Sequence, residues 1–142
     1  MNARAGFVGQ SVERREDARF VTGRGCYVGD LQRPGMLHAV VVRSQVAHAR
    51  IGMIDATAAR ALPGVVAIFS GKDFPGELTP ILLHPFTPIP GMDRFLQRPI
   101  AREKVVFVGE PVALVVAEDR YVAEDAADLV EVDYEELVPV VD

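Results

Sequence analysis

Few side chains in this sequence are spaced for chemistry. The histidines stand at positions 38, 48 and 84, and the lone cysteine is Cys26. No two histidines have the i, i+4 spacing that sets two imidazoles on one helix face, and no cysteine cluster joins them. A zinc site is therefore not expected. His38 reads as a strand side chain and His48 as a loop one. A single cysteine excludes an internal disulfide framework and any multi-cysteine iron–sulfur site. Cys26 lies between Gly25 and Tyr27 with only Arg24 near enough to activate it, so it reads as an ordinary thiol. Ser44 and Ser70 both lie outside a G-x-S-x-G nucleophile elbow. Gly23, Gly25 and Gly29 spell G-x-G-x-x-x-G, with no strong strand before them. That is a turn-rich loop and not a dinucleotide fingerprint. Glu110, between Gly109 and Pro111, is the most tempting acid, because it sits where an apolar run breaks. A general base and a kink residue bonded to local backbone are the two readings, and the second is favoured. The residues by themselves nominate no catalytic, cofactor-binding or metal-binding residue.

The elements that would position such groups are short. Residues 36–44, MLHAVVVRS, read as a strand by their β-branched density, with Leu37, Ala39 and Val41 on one face and His38, Val40 and Val42 on the other. Apolar residues on both faces predict a strand buried on both sides. Asp55 is placed to cap a helix over 56–62, ended by Pro63 and Gly64, with Ala58, Ala61 and Leu62 facing inward. Residues 65–69 read as a strand, and Ser70 with Asp73 as the cap of one helical turn. Residues 74–100 hold six prolines yet many large apolar side chains. They predict a long loop that serves as a partner surface. Residues 105–109 and 111–117 read as two strands with a kink between them. Asp119 caps a helix over 120–130, where Val122, Ala126, Leu129 and Val130 share a face, and a strand follows. The expected fold class is mixed α+β: short strands, two main helices and one long Pro-rich loop. Residues 1–20 form an N-terminal arm and 21–142 one domain.

Composition bounds the function. The 142 residues are 49% hydrophobic and 25% charged, as in globular domains. Surface scaling at this size allows one core and not two. Residues 1–50 carry net +4 and residues 118–142 net −9. The acidic end reads as a solvated helix face plus edge-strand charges, the alternative being that the two ends complement each other or a partner subunit. The whole is acidic, at −5, and no basic stripe is interleaved with aromatics, which disfavours nucleic acid as a partner. No apolar run approaches the roughly 20 residues of a membrane span. The first residues lack the apolar core of a secretory signal, and Arg14-Arg15 is followed by acids where a twin-arginine signal needs apolar residues. A cytoplasmic protein is the expectation.

Five segments in register resemble one family: FVGQSVERREDARFVTGRGCYVGD (7–30), PGMLHAVVVRSQVAHARIGMID (34–55), ALPGVVAIFSGKDFPG (61–76), VVFVGEPVALVVAED (105–119) and AEDAADLVEVDYEEL (123–137). Together they are similar to the N-terminal α/β-hammerhead domain of the molybdopterin-binding large subunit of the xanthine dehydrogenase/aldehyde oxidase family. That group includes aerobic carbon monoxide dehydrogenases. The resemblance implies a scaffold and interface domain of a molybdenum hydroxylase, whose full assembly oxidises a small substrate with water-derived oxygen. It implies molybdopterin for that assembly, with 2Fe-2S and FAD on partner domains or subunits, and no cofactor within this chain. In the family the cofactor-binding segments and the base lie in later domains, so no catalytic residue carries over. The implied partner is the cofactor-binding remainder of the large subunit. The alternative is a stand-alone binding module reusing the fold.

Overall fold

A computed structural model describes residues 8–9, 11–12, 14–74 and 98–140. They fall into two compact units divided after Pro34. In the first unit, α1 (Asp17–Val21) and a 3-10 turn (Val28–Asp30) are joined by the stacked rings of Phe20 and Tyr27, 5.3 Å apart. The sequence suggests only an extended arm before residue 20; the helical turn of α1 is a local addition to it.

The second unit holds β1 (His38–Arg43), β2 (Ala49–Asp55), α2 (Thr57–Arg60), β3 (Val65–Ser70), β4 (Lys104–Val105), β5 (Pro111–Ala117), α3 (Arg120–Asp128) and β6 (Glu131–Glu136). Its strands form two antiparallel sheets, ordered β1-β5-β3 and β4-β2-β6. The mixed α+β class holds. Strand β5 is the central strand of the first sheet, with its Val112, Ala113, Val115 and Ala117 fully buried. Strand β1, expected to be buried on both faces, is instead an edge strand with no fully buried residue. Its Val40-Val41-Val42 run packs against β5 on one side only.

Helix α3 covers one face of the first sheet. Asp119 caps it, its carboxylate accepting from the backbone N–H of Tyr121 at 2.8 Å. Ala123 and Ala126 are its buried positions, one turn apart, whereas Leu129 is exposed. Asp119→Ala leaves that first-turn amide without its acceptor. It should cost about 1 kcal/mol, read as a lowered urea midpoint at unchanged slope.

In α2 the buried residue is Ala59, not the expected Ala58 and Ala61. The helix is shorter than predicted and its inward face is turned by about one position. Two apolar clusters result, one around Val115 and Ala126 and one around Val105 and Val112. Val42, Ile54 and Val132 pack against both, so the clusters make one continuous core.

No helical turn forms at Ser70. The chain turns there, with the Asp73 carboxylate accepting from the Ser70 N–H at 2.6 Å and the Ser70 hydroxyl at 2.7 Å. Those bonds hold the Asp73 carboxyl below the ordinary aspartate range, and hydrogen bonding from Thr57 does the same for Asp55. A depressed folded value means stability that is present above the unfolded value and lost as pH falls through the folded one. The thermal midpoint should therefore drop on acidification below roughly pH 4. Asp73→Asn should flatten that drop in a pH series of melting curves.

Candidate functional site

The polar interior of the second unit is concentrated where β1 ends and β5 begins. Strand β1 runs out at Arg43 and the ladder slips there: Val42 faces Ala113, yet Arg43 faces Pro111. Proline has no N–H to give a ladder, which suits the first position of a strand. Beyond it the chain turns through Gly109, at φ +91°, a left-handed conformation that glycine adopts without strain. Two backbone bonds extend the pairing across the slip, Ser44 N–H to the Glu110 carbonyl at 2.9 Å and Gly109 N–H to the Ser44 carbonyl at 2.8 Å. The Arg43 guanidinium then donates to the Gly109 carbonyl at 2.8 Å.

Glu110 is 5% exposed and Ser44 is 1% exposed. The Glu110 carboxylate accepts from the Val106 backbone N–H at 2.6 Å. The Ser44 hydroxyl donates to the Val46 carbonyl at 2.8 Å and accepts from its N–H at 3.2 Å. Each side chain thus closes its own turn, and they do not bond each other. A nucleophile or base needs a reacting partner within hydrogen-bond reach. Here the partners are backbone groups. This is the kink geometry that Gly109-Glu110-Pro111 suggests.

The other residues with chemical potential stay dispersed. His38 lies half-buried on β1. His48 precedes β2, and its Nδ1 lies 2.8 Å from the Val138 carbonyl. Cys26 is exposed. His84 and most of the 74–100 loop lie outside the described residues. Among the described residues no three His, Cys, Asp or Glu side chains converge as a metal ion would require, and no buried side-chain polar atom lacks a partner.

Sequence reasoning missed two features. Strand β2, central to the second sheet, was not anticipated, because Arg50, Gly52 and Met53 interrupt its apolar pattern. Residues 106–109, read as strand, are a turn that follows a strand of only two residues. Its Val106, Phe107 and Val108 point outward and, with Ala47, His48, Pro139 and Val140, line an open groove of about 400 Å³. Three consecutive large apolar residues suggest burial, yet all three are exposed.

The family profile described as "Aldehyde oxidase and xanthine dehydrogenase, a/b hammerhead domain" matches residues 22–138. The chain belongs to this family. The hammerhead domain described above is 50% identical over 130 residues to the carbon monoxide dehydrogenase large chain of Afipia carboxidovorans, covering 92% of this chain and 15% of that one. It is 44% identical over 135 residues to the nicotine 6-hydroxylase large subunit of Paenarthrobacter nicotinovorans, covering 95% of this chain and 16% of that one. In structure it matches the carbon monoxide dehydrogenase of Oligotropha carboxidovorans with a TM-score of 0.74 at 42% identity, over 94% of this chain and 16% of that one. The hammerhead chain therefore spans about 15% of the length of these relatives.

Proposed function

We propose that this hammerhead chain is a framework piece of a molybdenum hydroxylase large subunit, bracing the parts that hold the cofactor while contributing no catalytic residue itself. The observation that carries this reading is the fate of Glu110 and Ser44. Both are buried, and both are committed to backbone groups of their own turns. The relatives support it. One is named for carbon monoxide and another for nicotine, yet the hammerhead is about equally similar to both. A piece shared so evenly between such different reactants is suited to support rather than to selecting substrate. Molybdopterin, 2Fe-2S and FAD would then be held by the remaining polypeptide of the assembly, which oxidises a small substrate.

Purification from the native host tests the reading. A molybdenum-containing polypeptide should accompany the hammerhead, or continue from it. The isolated 142-residue chain should carry no stoichiometric molybdenum after gel filtration. Near-stoichiometric molybdenum on the isolated chain would overturn the proposal. Recovery without any molybdenum partner would favour a stand-alone binding module.

A further inference from the structure

We infer that the apolar turn Val106–Val108, with Pro139 and Val140 beside it, is the seat on which the remainder of the large subunit docks. This rests on the framework reading and gives it a surface. Val106 is 49% exposed, Val108 61% and Val140 92%. Scattered apolar residues on a surface are ordinary, but a contiguous apolar groove marks an interaction site. Among the described residues no acid or cation lines this one, and the polar side chain there, His48, already has its Nδ1 against the Val138 carbonyl. The occupant is therefore apolar polypeptide and not an anionic or nucleotide ligand.

The turn is also held stiffly. The Glu110 carboxylate accepts from the Val106 N–H, the Arg43 guanidinium donates to the Gly109 carbonyl, and the Ser44 carbonyl accepts from the Gly109 N–H. A buried carboxylate is an expensive way to fix a turn, and no chemistry around it uses the charge. What the arrangement secures is a preorganised apolar tip, and preorganisation removes ordering cost from association.

Size identifies the occupant. A stable interface between separate molecules takes roughly 20–30 residues a side, and this groove is lined by seven. This groove by itself would hold a second copy of the chain only weakly. A partner joined to the domain by the same polypeptide needs far less contact, because its effective concentration is high. The relatives carry such polypeptide, since the hammerhead is only 15% of their length.

The test places a photo-crosslinking benzophenone amino acid at Phe107 in the enzyme assembled in its native host, with a parallel variant at Val108 should the first fail to fold. The control site is Tyr121, which is 73% exposed on α3. Peptide mapping should put the crosslinks from the turn in large-subunit sequence outside residues 1–142, several-fold above the control. Crosslinks confined to residues 1–142, a dimer of this chain, or a yield no higher than at Tyr121 would overturn the inference. If a molybdenum polypeptide is present and the crosslinks fall elsewhere, this seat alone is wrong. If no such polypeptide is present, the framework reading falls with it.

Discussion

Glu110→Ala should lower the thermal midpoint of the hammerhead by roughly 6–12 °C, the shift expected from about 2–3 kcal/mol in a domain of this size. The loss has two parts. The charge-assisted bond to Val106 N–H disappears, and the amide is left facing a void where the carboxylate was. Glu110→Gln keeps an acceptor oxygen at the same reach and should lose less than half as much. The pair of variants separates a turn anchor from a base. A general base contributes roughly 10²–10⁴-fold to a rate. Activity of the assembled enzyme carrying Glu110→Gln should therefore stay within a few-fold of the parent. A loss of hundreds-fold with the midpoint intact would make Glu110 catalytic and remove the ground for the framework reading.

A comparable loss is expected at Gly71, for a different reason. Gly71 is buried at the start of the turn after β3, against the backbone of Ala101. A β-carbon there would fall onto the Ala101 carbonyl, with the carbonyl carbon itself only 2.9 Å away. The obstacle is backbone, which cannot swing aside as a side chain can. Ala101 is also tied by its N–H to the Pro111 carbonyl at 2.7 Å. Gly71→Ala should cost about 2–3 kcal/mol. Gly109→Ala makes the contrast. Its β-carbon would meet nothing within 4 Å, so only the left-handed conformation penalises it, by about 1–2 kcal/mol. Chemical denaturation of the two variants should rank Gly71→Ala as the more damaging; the reverse order would mean that the Gly71–Ala101 approach is not tight.

The two substitutions also show what could be read from the sequence. Gly109-Glu110-Pro111 announces a bend by composition alone, and the bend is there. Asp119 announces a cap, because a carboxylate before an apolar-periodic run has few other uses, and it caps. What stayed hidden depends on neighbours distant in sequence. The need for glycine at 71 comes from Ala101, thirty positions on, and leaves no local trace. Val40-Val41-Val42 looks like a central strand, yet which strand becomes central is decided by pairing, and β5 takes that place. Strand β2 pairs with both β4 and β6 although its own pattern is broken. The tertiary ladder overrides weak propensity there. The apolar turn at 106–108 reads as buried for the same reason: hydrophobicity is a property of the residue, and exposure a property of the assembly.

The central position of β5 has a consequence for how the chain is made. His38 pairs with Ala117, and Ser70 with Ala113, so both edges of the first sheet wait for a strand encoded far downstream. Closing such long loops is slow, because chain entropy is lost before any pairing compensates it. During synthesis the β1 and β3 segments emerge with their hydrogen-bonding edges bare, at roughly 5–20 residues per second, for several seconds before β5 follows. Over that interval the valine-rich β1 segment is the part of the nascent chain most exposed to mispairing, and a ribosome-proximal chaperone has its clearest target there.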